Sequence, residues 1–226
     1  MKYKAVIFDM DGTIIDSESI WESVTRSVII NRGIVITPEA EKELNEKLSG
    51  GSILYCCTVI KDMFNLDDDI NTLALEKSAL ALALFEKQVC LMEGFELFHA
   101  HARSLNLKIA LATNADDRTI ELTNKKLNLT RFFGDHIYNI SHVNNQGKPK
   151  PDLYEFAAKQ LNEKPSVCIA IEDSATGIKA AQSAGTFCIG FDAANRPEQV
   201  KNADMIVRAY HEIDLVTLVR KTKNNK

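Results

Sequence analysis

The chain has 226 residues, enough for one sizeable core or a core with a smaller companion, but not for three independent domains. Apolar residues make up 45% and charged residues 26%, which excludes a disordered chain, and no apolar run reaches the length of a membrane span. With a formal charge of -4 there is no broad basic face, so neither nucleic acid nor membrane is an expected partner.

In chain order, the first element is Ala5 to Phe8, four apolar residues followed at once by acids. The run is too short for a secretory signal region, and the protein is expected in the cytoplasm. It ends in polar residues and Gly12, the pattern of a strand buried on both faces of a parallel sheet. About a hundred residues then pass before the next such run, far more than one crossover helix needs. They read as an inserted helical domain with no strand of its own. Ile20, Trp21, Val24 and Val28 share a helical face, and Leu73, Leu80, Leu84 and Leu91 recur at sevens and fours. Trp21 and the Leu/Ala face are expected to be packing residues. Ala79 to Phe85 (ALALALF) alternates as a strand would, yet Ala and Leu are strong helix formers and the segment has no β-branched residue, so helix is expected. Gly33, Pro38 and Ser49 to Ser52 (SGGS) mark the breaks between helices.

Beyond the insertion, Lys108 to Ala112, Val167 to Ile171, Phe187 to Phe191 and Met205 to Val207 read as short strands with helical segments between them. Alternating strands and helices give an α/β fold, a doubly wound parallel-sheet core, with the helical cap inserted in it. The expected division is a core of residues 1–15 and 93–226 and a cap of 16–92. Arg220 to Lys226 is a basic tail expected to fray. The five cysteines are odd in number and lack C-x-x-C spacing, so they read as reduced packing residues; the five histidines form no ligand cluster and read as surface groups.

In an open α/β sheet the ligand lies beyond the carboxyl ends of the strands. There the first strand delivers Asp9, Met10, Asp11, Gly12 and Thr13; another delivers Thr113 and Asn114; a third delivers Glu172 and Asp173; and a loop carries Lys148 ahead of a helix starting near Asp152. Singly, each has an ordinary reading: an acidic turn, a solvated lysine, or acids capping the helix near Ser174. Together, four acids, a hydroxyl and an ammonium suit phosphoryl transfer, where positioning and charge neutralisation carry the catalysis. A magnesium ion on oxygen ligands overcomes the repulsion between carboxylates and a phosphate ester, Lys148 adds a fixed positive charge, and Thr113 can donate a hydrogen bond. One carboxylate can then attack, while another two residues away protonates the leaving alkoxide and later takes a proton from water.

On these motifs the chain resembles the haloacid dehalogenase-like superfamily over nearly its whole length, in the branch (subfamily IA) whose helical cap follows the first motif. The resemblance implies Asp9 as nucleophile, Asp11 as general acid and base, and Thr113 and Lys148 as phosphate-binding groups with Asn114 beside them. It also implies magnesium held by Asp9, the backbone carbonyl of Asp11, and Asp173, with Glu172 close by or acting through water. The stretches Asp16 to Trp21 (D-S-E-x-x-W) and Ile171 to Gly177 (I-E-D-S-x-x-G) are similar to sugar-phosphate phosphatases and β-phosphoglucomutases. The implied activity is a phosphatase acting on a small phosphorylated metabolite, sugar phosphates included, through an aspartyl phosphate.

A mutase is the runner-up. The cap loop, Gly50-Gly51-Ser52-Ile53, lacks the arginine that mutases carry after Gly-x-Ser, which weakens that reading. Motif two reads Thr113-Asn114-Ala115 where many relatives place a further hydroxyl. Dehalogenation and phosphonate hydrolysis go with loss of the second aspartate, a signalling receiver carries its acids in another strand order, and a silent binding protein is expected to have lost Asp9, Asp11, Lys148 or Asp173. Hinges are expected near residues 15–17 and 92–94, and the Ser49 to Ser52 loop is a candidate to touch substrate. No pattern sets an oligomeric state, and a monomer is compatible with the sequence.

Overall fold

The structure, a computed structural model, describes residues 1–220; the tail expected from Arg220 to Lys226 lies outside them beyond its first residue. In chain order the elements begin with β1 (Ala5–Phe8), β2 (Ile15–Asp16), α1 (Glu18–Ile30), α2 (Pro38–Leu48), α3 (Ile53–Phe64), α4 (Ile70–Gln88) and β3 (Cys90–Leu91). They continue with α5 (Phe95–Ser104), β4 (Lys108–Ala112), α6 (Asp117–Leu127), α7 (Thr130–Phe133), β5 (Ile137–Tyr138) and α8 (Asp152–Gln160). The chain closes with β6 (Cys168–Glu172), α9 (Ala175–Ser183), β7 (Phe187–Phe191), α10 (Pro197–Val200), β8 (Met205–Val207) and α11 (Leu215–Val219).

Six strands form a parallel sheet in the order β5-β4-β1-β6-β7-β8. The chain builds outward from β1 to β4 and β5, then returns to the other side for β6, β7 and β8. The position beyond β1 is therefore the topological switch point, where such sheets bind ligands. All four residues of β1 are fully buried. Val6 and Phe8 face one core with Phe95, Phe98 and Tyr210, while Ala5 and Ile7 face the other with Leu153 and Ile178. A strand covered on both faces has to be apolar at every position, which is why β1 shows no alternation.

The helices α1 to α4 occupy the interval between β2 and β3. Their starts follow from sequence: Thr37, Ser52 and Asp69 each accept a hydrogen bond from a backbone N–H of the first turn, and Pro38 takes the first helical position of α2. Val28, Leu44, Ile60 and Leu73 form a core among these helices. A second seam, with Ile20, Val24 and Phe85, is continuous with the sheet core around Phe8. ALALALF is helical, inside α4.

Several expectations change. The insertion is bounded by two strands, β2 and β3, which pair antiparallel with Ile15 opposite Leu91 and Asp16 opposite Cys90. Two residues are too few to show any period, so neither strand is visible in the sequence. The same holds for β5. The strand expected from Val167 begins at Cys168, because Pro165–Val167 form a 3-10 turn. Cys90 is exposed on β3, whereas the other four cysteines are buried thiols. His99 is buried, with Nε2 2.9 Å from the carbonyl oxygen of Phe132. Among the described residues no helix is long and apolar enough to cross a membrane.

Candidate active site

Asp9 is the first residue past β1, and its backbone N–H still joins the sheet by donating to Ile171 (3.0 Å). Its carboxylate meets Lys148, whose Nζ pairs with Asp9 Oδ1 and, at 2.5 Å, with Glu172 Oε1. Lys148 is buried, so the solvated-loop reading fails. Glu172 is wholly enclosed: Tyr154 donates its hydroxyl to Oε1 (2.5 Å) and Ser174 Oγ lies 3.3 Å from Oε2. The capping reading of Glu172 and Asp173 fails too, since Ser174 itself caps α9 by accepting from Gly177 N–H.

Asp9, Glu172 and Asp173 each offer a carboxylate oxygen within 4.8 Å of the others. Burial raises the pKa of Asp9 to about 8, and Glu172 adds to that while Lys148 opposes it. Asp173 is raised well above the ordinary carboxylate range by burial and then by Asp9 and Glu172. Burial works against the ammonium of Lys148, but the two carboxylates outweigh it and lift its pKa. Two carboxylates thus share one ammonium and the third has none, an excess of acids over cations where desolvation is costly. A divalent cation with oxygen preference fits this donor set.

Glycines make the packing possible. Gly12 has φ +71°, and a Cβ there would sit 2.3 Å from Asp173 Oδ2; at Gly177 a Cβ would fall 2.0 Å from Glu172 Oε2. Any other residue at either position would displace a carboxylate. The glycine that ends I-E-D-S-x-x-G therefore makes room for the glutamate at its second position.

Asp11 turns away from the cluster. Its Oδ1 accepts from Ser17 Oγ (2.6 Å) and Trp21 Nε1 (2.8 Å), both contributed by the start of the insertion. Burial raises its pKa, with those two donors opposing the rise. The sequence reading missed Trp21 as a partner of Asp11. Its indole does pack edge-on to Phe85, as a core residue would, but its N–H is directed at the carboxylate. Thr113 is buried at the end of β4, where its Oγ1 accepts from Ala115 N–H (3.1 Å) and keeps a proton to donate. Asn114 is used as a bridge. Its Oδ1 accepts from Lys148 N–H (2.8 Å), and its Nδ2 donates to Lys148 O (3.2 Å) and to Gly50 O (2.8 Å). It ties the Lys148 loop to the Ser49–Ser52 loop of the insertion.

These groups open into a cavity of about 130 Å³ lined from the sheet side by Asp9, Asp11 and Thr113 and from the insertion by Trp21, Gly50 and Lys77. At the rim Arg196, just ahead of α10, pairs with Glu18 and with Glu22 (2.5 Å) of α1. Gln199 Nε2 donates to Glu46 O (3.2 Å). The insertion is closed onto the sheet.

Comparison with known proteins places the chain in a family. The family described as haloacid dehalogenase-like hydrolase matches residues 3–185. The chain is 30% identical over 184 residues to the phosphorylated carbohydrates phosphatase of Thermotoga maritima, covering 80% of this chain and 82% of that protein. It is 28% identical over 228 residues to the β-phosphoglucomutase of Bacillus subtilis, covering 95% and 93%. Among solved structures, the β-phosphoglucomutase of Clostridium difficile superposes with a TM-score of 0.79 at 26% identity, covering 96% and 95%.

Proposed function

The chain belongs to the haloacid dehalogenase-like hydrolases, and from that premise we propose that it is a magnesium-dependent phosphatase of small phosphate monoesters, phosphorylated carbohydrates among them, working through a phosphoaspartate on Asp9. The observation that carries this reading is the pairing of two differently held carboxylates past one strand. Asp9 has one oxygen against Lys148, while Asp11 accepts two hydrogen bonds on Oδ1.

In this mechanism an Asp9 carboxylate oxygen attacks phosphorus as the bond to the alcohol oxygen breaks, and Asp11 gives that oxygen its proton. Water then loses a proton to Asp11 and attacks the phosphoryl group, breaking its bond to Asp9 and restoring both acids. A raised Asp11 pKa suits the donor step, and the Ser17 and Trp21 bonds fix which oxygen is left to act. Lys148 and Thr113 hold the phosphoryl oxygens, and Asn114 is a positioning residue that sets Lys148. Asp9, Asp173, the Asp11 carbonyl and Glu172 would hold magnesium, which when bound neutralises the carboxylates and the incoming phosphate.

The cap is assigned to residues 16–92 and the core to 1–15 and, within the described residues, 93–220, with the β2–β3 pair as the crossing between them. Closure excludes bulk water during attack. A panel of phosphate monoesters and phosphosugars, assayed with and without magnesium on wild type and Asp11→Asn, tests the proposal. Magnesium-dependent phosphate release that falls by about 10²-fold or more in Asp11→Asn is expected. Efficient conversion of β-glucose 1-phosphate to glucose 6-phosphate would put the mutase first.

A further inference from the structure

The proposed chemistry leaves one buried ammonium without a task. Lys77 lies on the buried face of α4 with Leu73, Ala74 and Ala81 and is 2% exposed. Its Nζ donates to Thr25 Oγ1 (2.7 Å) and sits 5.4 Å from the centre of the Trp21 indole. Among the described residues it makes no ion pair. The acids of α1 that share its cavity, Glu18 and Glu22, are both held by Arg196. Burial lowers the Lys77 pKa from its ordinary value of 10.5, and the groups that oppose this are only the thiols of Cys56 and Cys57. An ammonium buried without a carboxylate is destabilising, and an apolar side chain of similar volume would serve packing better. Its place on the cavity wall points to a ligand.

Resting on the phosphatase reading, we propose that Lys77, together with the Thr25 hydroxyl, receives a carboxylate at the non-reacting end of the substrate, so that phosphorylated carboxylic acids are the preferred substrate class. Trp21 sets the separation between the two ends. Its N–H is on Asp11, while its ring lies against the Lys77 ammonium. The donor set chooses among ligands. Thr25 accepts from Lys77 and so keeps its own proton, giving two adjacent donors for the two oxygens of a carboxylate. A phosphate dianion has three oxygens and a second charge to satisfy, and the other cation of the cavity lining, Arg196, is already taken by Glu18 and Glu22. A sugar hydroxyl would leave the ammonium uncompensated.

The test compares matched esters that differ only in carboxylate against hydroxymethyl: 3-phosphoglycerate with glycerol 3-phosphate, and 6-phosphogluconate with sorbitol 6-phosphate. In wild type kcat/KM should favour the acid of at least one pair by about tenfold or more, through KM, as a charge-assisted hydrogen bond in a desolvated site would give. In Lys77→Met that ratio should fall to within roughly threefold of one. Thr25→Val should lower it in the same direction, which keeps the test open if Lys77→Met does not fold. The inference is overturned if wild type treats both members of each pair alike, or if the preference survives Lys77→Met. It is also overturned if fructose 1,6-bisphosphate gains more over fructose 6-phosphate than either acid gains over its alcohol. Hydrolysis of the alcohol esters without acid preference sinks this inference alone; no hydrolysis of any ester sinks the phosphatase reading with it.

Discussion

Asp173 is a carboxylate with no cation of its own: among the described residues it makes no ion pair, while Asp9 and Glu172 hold Lys148 between them. Its repulsion by those two acids is relieved by proton or metal, which gives a prediction free of any substrate. Magnesium should raise the melting temperature of wild type, by the equivalent of about 2.7 kcal/mol at a hundred times its Kd. Asp173→Asn should melt above wild type in chelator and lose the magnesium response. A wild-type melt indifferent to magnesium would contradict the site.

His99 supplies a pH test whose causes include none of the site's acids. Burial lowers its pKa below the ordinary 6.5, helped by Arg103, although the contact with Phe132 O opposes this. The unfolded chain thus binds a proton more readily than the folded one. The stability owed to a neutral His99 is complete above pH 6.5 and is lost as pH falls from there toward the folded pKa. Denaturant titrations across that range should show the slope in wild type and a weaker one in His99→Gln; equal slopes would remove His99 from the account. At this scale Asp9, Asp11, Thr113, Lys148, Glu172 and Asp173 are legible in the sequence as candidates because their order, at strand ends and in one loop, is specific. It does not show Trp21 or Tyr154, whose partners Asp11 and Glu172 come from other elements. A lone lysine in the Leu/Ala face of residues 73–84 was the one signal available for Lys77.

Among elements, the insertion meets the core through the apolar seam of Ile20, Val24 and Phe85 and through a few polar contacts at the cavity rim. Arg196 clasps two glutamates of α1, Gln199 reaches the end of α2, and Asn114 reaches Gly50. The Arg196 pairs are partly exposed, so they are worth about 1 kcal/mol or less in stability. Their effect should appear in closure: Arg196→Gln is expected to raise KM several-fold while moving the melting temperature little, read by steady-state kinetics beside thermal melts. An unchanged KM would mean that the clasp does not govern closure. Here sequence reading succeeds where an element is long or nearly all apolar, as with α4, β1 and β4, whose composition leaves one choice. It fails at β2, β3 and β5, which exist because a neighbouring strand completes their hydrogen bonds, a tertiary cause with no local trace.

At the scale of the whole molecule, the sheet order places β1 between β4 and β6, so residues more than a hundred positions apart in sequence converge on one edge. The four motifs make this convergence legible from the order of residues alone, because only a parallel sheet with a switch point brings their carboxyl ends together. What the motifs do not encode is the floor and roof of the cavity, which depend on how α1 and α4 pack against the Phe8 core. The proposed chemistry requires that Asp9 become phosphorylated. Acid quenching of turnover with an ester carrying a radiolabelled phosphoryl group, followed by peptide mapping, measures this most directly. Magnesium-dependent, alkali-labile label on the peptide containing Asp9, absent from Asp9→Asn together with phosphate release, is the predicted result. Hydrolysis by Asp9→Asn at the wild-type rate, with no label on that peptide in either protein, would contradict it.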